Sequence, residues 1–287
     1  MKSPPWRTMA ALAIVLTLTP GCSDLRQDGW PLVVTTFWAM DWVAIQVAAP
    51  DADVDNLTAT SAEPHDLELS PAGVAWLGVA DIVVIVGGFQ PAVDQAVAEA
   101  RPARVVDLAA LTPGTPTNPH LWLDPIALLP LVTALGDALA EADPDRESAY
   151  RERQEALVTR LVALDQEISH TLAGCDITTF VTDHDAFSSF ASRYGLTQIS
   201  IAGIDPEAEP SPARLREVAS QAREAGVTTV FYEASGSDAS ARAVAELAGG
   251  LEVAAIDPME FGGGDYLDRM RANAAALSAA NACQGTP

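Results

Sequence analysis

Short β-branched, apolar runs separated by longer amphipathic stretches set the rhythm of this chain. LVVTTF (32–37), DIVVIV (81–86), ARVVDL (103–108), ITTFV (177–181), TQISIA (197–202), TTVFY (228–232) and EVAAI (252–256) read as strands buried on both faces, and VDNLT (54–58) as a further strand. Helical stretches lie between them at 38–48, 90–100, 125–141, 211–225 and 238–248. Strands alternating with helices at this spacing predict an α/β fold of parallel sheets with helices on both sides.

The segment from Asp143 to Gly174 breaks the alternation. Asp143 is a good N-cap, Pro144 suits the first helical position, and Gly174 suits the stop. Leu157, Leu161, Leu164, Ile168 and Leu172 form one apolar stripe on an otherwise charged helix. Thirty helical residues extend ~45 Å, the length of a whole lobe. The pattern predicts an N-terminal lobe over 32–143, a rigid connector helix over 144–173 and a C-terminal lobe over 174–287. One stripe of about four turns is short for a coiled-coil dimer, so a monomer is expected.

The N-terminus changes the picture of where the chain works. Lys2 and Arg7 precede sixteen uncharged residues (8–23), too few for a spanning helix but suited to a signal peptide over 1–21. LTPGC ends at Cys22 and looks like a bacterial lipobox, although Thr19 and Pro20 depart from the usual residues. A lipid on Cys22, a tether over 22–31 and an extracytoplasmic, membrane-anchored protein are the expectation. Cys175 and Cys283 are then an even pair in an oxidising compartment, which predicts a disulfide.

The chain is 49% hydrophobic, so it builds a sizeable core, and its formal charge of −23 excludes nucleic acid as a partner. A negative surface suits a cationic ligand. Only four histidines occur. His184 follows directly after a predicted strand, as does Asp257. His120 and His65 lie in loops after predicted strands. Ligands of open α/β sheets bind outside the carboxyl ends of strands, so facing lobes would bring these four groups to one cleft. His170 sits within the connector helix and reads as a solvated position.

EPHDLELSP, NPHLWLDP, VTDHDAFSSFASRYGL, VFYEASGSDASARAVAE and DYLDRMRANAAALSAA together resemble the zinc/manganese family of solute-binding lipoproteins of ABC transporters, the metal-binding cluster A-I. The resemblance runs from about residue 32 to 281, in order, and includes the connector helix. It implies two Rossmann-like lobes joined by a long helix, with the metal between them. It also implies an importer component that passes the ion to a membrane permease. Carried over by motif, the ligands are His65 and His120 from the first lobe, and His184 and Asp257 from the second. Glu260 is the rival for the fourth place.

Three imidazoles and a carboxylate suit four-coordinate Zn²⁺. Manganese or iron carriers of this family usually have glutamate where His184 stands, so zinc is the expected cargo and manganese or iron the alternative. The histidine-rich loop of many zinc carriers is missing, since residues 66–119 contain no histidine. A secreted zinc hydrolase would need an open coordination position and a general base, and no H-E-x-x-H is present, so no enzyme is expected. A lipid-anchored surface adhesin with a structural metal is the remaining alternative.

Overall fold

The structure, a computed structural model, describes residues 29–58, 63–114 and 117–285. The signal peptide, Cys22 and most of the tether lie outside the described residues. The first lobe runs β1 (Leu32–Thr35), α1 (Trp38–Ala48), β2 (Asp53–Asn56), α2 (Pro71–Val79), β3 (Ile82–Ile85), α3 (Pro91–Ala100), β4 (Val105–Asp107), α4 (Leu108–Leu111) and α5 (Leu129–Ala142). The long helix α6 (Glu147–Thr171) follows. The second lobe runs β5 (Thr179–Thr182), α7 (Ser188–Tyr194), β6 (Thr197–Ser200), α8 (Pro212–Glu224), β7 (Thr229–Glu233), α9 (Ala239–Leu247), β8 (Glu252–Ile256) and α10 (Tyr266–Ala280).

Each lobe holds a four-stranded parallel sheet, ordered β2-β1-β3-β4 and β6-β5-β7-β8. The strand order is thus duplicated although no repeat is visible in the sequence. Central strands β1 and β3 are buried throughout, as their unbroken apolar runs require. The edge strand β2 carries Asp53 and Asp55, charges that blunt an unpaired edge. Helix starts follow local chemistry. The Ser70 and Ser211 hydroxyls accept from Gly73 N–H and Arg214 N–H, each one residue before a proline in the first turn.

The connector differs from expectation in its first turn. Pro144–Arg146 forms a 3-10 turn, and α6 begins at Glu147. The Asp143 carboxylate accepts from Arg146 Nη1 (2.6 Å) and the Tyr150 hydroxyl (3.3 Å) instead of capping backbone N–H groups. Gly174 has φ +64°, the left-handed conformation that ends a helix at low cost for glycine alone. The predicted stripe is buried along its whole length. Through it α6 packs on α1 and α5 of the first lobe and α10 of the second.

Polar ties add to this packing. Arg153 donates to Val47 O (2.8 Å) at the C-terminal end of α1 and pairs with Asp51 (2.9 Å), a cation where the helix dipole favours one. Arg193 of α7 makes a two-pronged bond to Asp165 of α6 (2.8 and 2.7 Å). One apolar core runs without a break from Phe37 and Trp122 in the first lobe, through α6, to Phe187 and Tyr266 in the second. Trp122 Nε1 donates to Pro258 O (2.8 Å), and the Tyr266 hydroxyl donates to Trp122 O (2.6 Å). Cys175 and Cys283 are joined in a disulfide, as the even pair predicts, stapling the entry of the second lobe to the segment after α10. No described helix is long and apolar enough to cross a membrane.

Candidate metal centre

Four loops at the carboxyl ends of strands meet between the lobes. His65 lies between β2 and α2. His120 directly precedes a 3-10 turn (Leu121–Leu123) after β4. His184 stands two residues beyond β5, and Glu260 four beyond β8. One ligand atom from each of His65, His120, His184 and Glu260 lies within 4.8 Å of every other. Glu260 Oε1 is 3.4, 3.1 and 3.4 Å from the Nε2 atoms of His65, His120 and His184. His120 Nε2 is 3.2 Å from His65 Nε2 and 3.2 Å from His184 Nε2.

These spacings have a simple meaning. A tetrahedron with metal–ligand arms of about 2.05 Å has edges of roughly 3.3 Å. Five of the six edges of this group fall between 3.1 and 3.4 Å. Both Glu260 oxygens are buried, the residue only 1% exposed, and neither has a hydrogen-bond partner among the described residues. A buried carboxylate in that condition is stabilised by positive charge beside it, whether a protonated imidazole or a bound cation.

The side chain that the sequence proposes as fourth ligand is elsewhere. Asp257 is not part of the group; its two oxygens are held by Arg269 Nε (2.5 Å) and Nη2 (2.7 Å). Its Oδ1 also accepts from Met259 N–H (2.9 Å), while Asn273 bonds both its N–H (3.0 Å) and its C=O (2.7 Å). Asp257 therefore builds the turn, and Glu260 is the carboxylate the turn delivers. The turn needs Met259 at φ +64°, a left-handed conformation that costs a non-glycine residue on the order of 1–3 kcal/mol and persists only when its surroundings impose it. The sequence carries one signal for this. Asp-Pro initiates turns through the aspartate side chain, which marks Asp257 as a turn former and leaves Glu260 free for chemistry. His170 is exposed on α6 and outside the group.

The buried histidines are oriented through their other nitrogen. His120 Nδ1 is 2.7 Å from Asn118 Oδ1, which also accepts His120 N–H (3.0 Å). Asn118 Nδ2 in turn donates across the cleft to Asp185 O (2.5 Å). His184 Nδ1 bonds Glu233 Oε1 at the end of β7. An acceptor at Nδ1 keeps a proton on that nitrogen and points Nε2 of each ring into the group, where a metal would take the place of any proton on it. Burial lowers the His120 imidazole to about 4, against the pull of Glu260. Burial also opposes charge on His184, but Glu233 and Glu260 outweigh it and raise the ring to about 10. Burial pushes Glu260 up; the three imidazoles more than reverse this and hold its carboxyl well below the usual range.

Phe89 packs edge-on to His65 at 4.6 Å between ring centroids, and Trp122 lies 5.0 Å from His120. This aromatic wall keeps water from one side of the group. Glu233 and Glu63 also line a cavity of ≈ 400 Å³ whose walls include Asp183, Glu207 and Glu209. Burial raises Glu63 to about 7 and Asp183 to about 6.

Known proteins share this architecture. The chain is 29% identical over 286 residues to the zinc-binding lipoprotein AdcA of Streptococcus pneumoniae, covering 89% of this chain and 57% of that one. It thus spans little more than half the length of that relative. It is 28% identical to the high-affinity zinc uptake system protein ZnuA of Bacillus subtilis, over 90% of both chains. The Zn(II)-bound ZnuA-like domain of Streptococcus pneumoniae AdcA superposes with a TM-score of 0.76 at 29% identity, over 88% of this chain and 99% of that one. Residues 33–280 match the family described as zinc-uptake complex component A, periplasmic, and with a match of that extent the chain belongs to the ZnuA family.

Proposed function

We propose that this protein captures a single Zn²⁺ between its lobes through Nε2 of His65, His120 and His184 and a carboxylate oxygen of Glu260, and passes it to the permease of an ABC importer. One observation carries the reading: a buried carboxylate without a hydrogen bond stands at tetrahedral edge distance from three imidazole nitrogens. Two ligands come from each lobe, so the ion would bridge the two. Four protein ligands fill a zinc tetrahedron and leave no open position for a reacting water, which suits carriage rather than hydrolysis. The relatives' zinc-binding names support the choice of ion.

The division into lobes over 32–143 and 174–287 with a connector over 144–173 accompanies this reading, as does an extracytoplasmic monomer anchored by a lipid on Cys22. The AdcA relative is named a lipoprotein, which supports the anchor. Elemental analysis of the purified protein, with competitive zinc and manganese titration, tests the cargo. One zinc per chain is expected, and it should be absent from the His120→Ala variant. Fractionation of Cys22→Ala tests the anchor: the variant should leave the membrane fraction and still bind zinc.

A further inference from the structure

Glu233 belongs to none of the ligand loops, yet it reaches the centre. It is the last residue of β7, the strand beside β5, and its Oε1 bonds Nδ1 of His184. The residue is only 7% exposed, so this carboxylate is largely withdrawn from water. Its backbone is pinned as well, Glu233 N–H donating to Asp183 Oδ2 (3.1 Å) next to the histidine it serves. The backbone side of His184 is fixed separately, its C=O accepting from Gln198 Nε2 (2.9 Å) and the Thr182 hydroxyl (2.8 Å). The ring itself has one oriented partner at Nδ1. The other buried histidine, His120, has the neutral amide of Asn118 in that place.

We infer that Glu233 is the positioning residue of the second lobe's imidazole, and that its negative charge, beyond its hydrogen bond, makes His184 the stronger zinc donor of the two buried rings. A carboxylate behind a metal-bound imidazole fixes the tautomer, locks the ring plane and raises the basicity of the ligating nitrogen; a neutral amide does only the first two. A cation held by Nε2 is also attracted directly by a carboxylate bonded to the ring's other nitrogen. The consequence is an unequal grip. The second lobe, with Glu233 behind His184 and with Glu260, holds the ion more firmly than the first.

The inference rests on the proposed ligand set, and its test separates the two. Zinc affinity is measured by chelator competition for the wild type and for H184A, E233A, E233Q and N118A, with the urea midpoint of each zinc-free protein recorded alongside. E233A should lose roughly 10–100-fold in zinc affinity, the usual cost of removing an outer partner of a ligating histidine. E233Q keeps an acceptor for Nδ1–H and removes the charge, so it should fall between E233A and the wild type. Cobalt substitution supplies a second readout. The visible ligand-field bands of tetrahedral Co²⁺ should shift in E233Q with the zinc-free urea midpoint unchanged. Wild-type affinity in E233Q with an unshifted cobalt spectrum would overturn the role of charge, and wild-type affinity in E233A would overturn the positioning role. Failure of the wild type to bind, or full binding by H184A, would sink the ligand set itself.

Discussion

Arg269 holds both oxygens of Asp257, whereas Glu260 lies beside the three imidazoles. Asp257 stands three residues before Glu260 on the same turn. With its oxygens taken by a guanidinium in a two-pronged bond, Asp257 serves the fold, and Glu260 is the carboxylate available to the proposed zinc site.

The two carboxylates should therefore separate cleanly under mutation. Glu260→Gln should weaken zinc by more than the roughly 10–100-fold that loss of an outer partner costs. Asp257→Asn should instead destabilise the fold by about 1–3 kcal/mol, because it removes hydrogen bonds to a charged group, with a smaller effect on zinc. Chelator competition and urea unfolding on both variants check the assignment. Equal losses of zinc affinity would count against it.

Affinity should rise with pH. His184 is drawn up to about 10, so it carries a proton at neutral pH that zinc must displace, whereas His120, near 4, is already neutral. A proton competing for a ligand weakens the metal as pH falls below that group's value, by about tenfold per pH unit for one proton. Calorimetric titration in buffers of different ionisation enthalpy should report about one proton released per zinc at pH 7. A binding heat independent of buffer would contradict it.

Ion preference should move with the donor set. His184→Glu converts three imidazoles and a carboxylate into two of each, but it sets a new carboxylate against Glu233. The change is best made together with Glu233→Gln, so that two like charges do not meet in a buried place. The double variant should show a lower zinc-to-manganese affinity ratio, zinc remaining tighter in absolute terms as the Irving–Williams order requires. Competition titrations with both ions measure the ratio; an unchanged ratio would remove His184 from the ligand set.

The Cys175–Cys283 bridge closes a sequence separation of 108 residues, remote from the ligand loops. Replacing both cysteines by serine should lower stability by up to ~4–5 kcal/mol in the chain-entropy account of such loops. Zinc affinity should stay at the wild-type value. Urea unfolding with parallel zinc titration separates the two effects.

Much of this was readable before any coordinates. Seven of the eight strands lie in short runs rich in β-branched residues, whereas β2, DVDN, has a single valine and shows only weakly; the connector's stripe reveals both its helicity and its buried face. Helix α2, PAGVAWLGV, falls outside the predicted helices because it has no polar face to set a period. The three histidines could be placed by their position after strands. The carboxylate that joins them could not, since two carboxylates three residues apart differ only in what surrounds them. The decisive neighbour, Arg269, lies twelve residues beyond Asp257 on another element.

The spine formed by α6 carries a mechanical consequence. Lobes that share one unbroken strut and one continuous apolar core cannot gape like jaws without wetting Trp122 and Tyr266. Sliding one half along the strut would instead have to break polar ties such as Trp122 Nε1 to Pro258 O and the Tyr266 hydroxyl to Trp122 O. In the proposed site zinc bonds would tolerate errors of only about 0.2 Å, so even a small slip would spoil a coordination shell divided between the halves. On the proposed function, release of the ion would then require no door. A receptor that merely nudged one half against the other would convert a tight trap into an open tray.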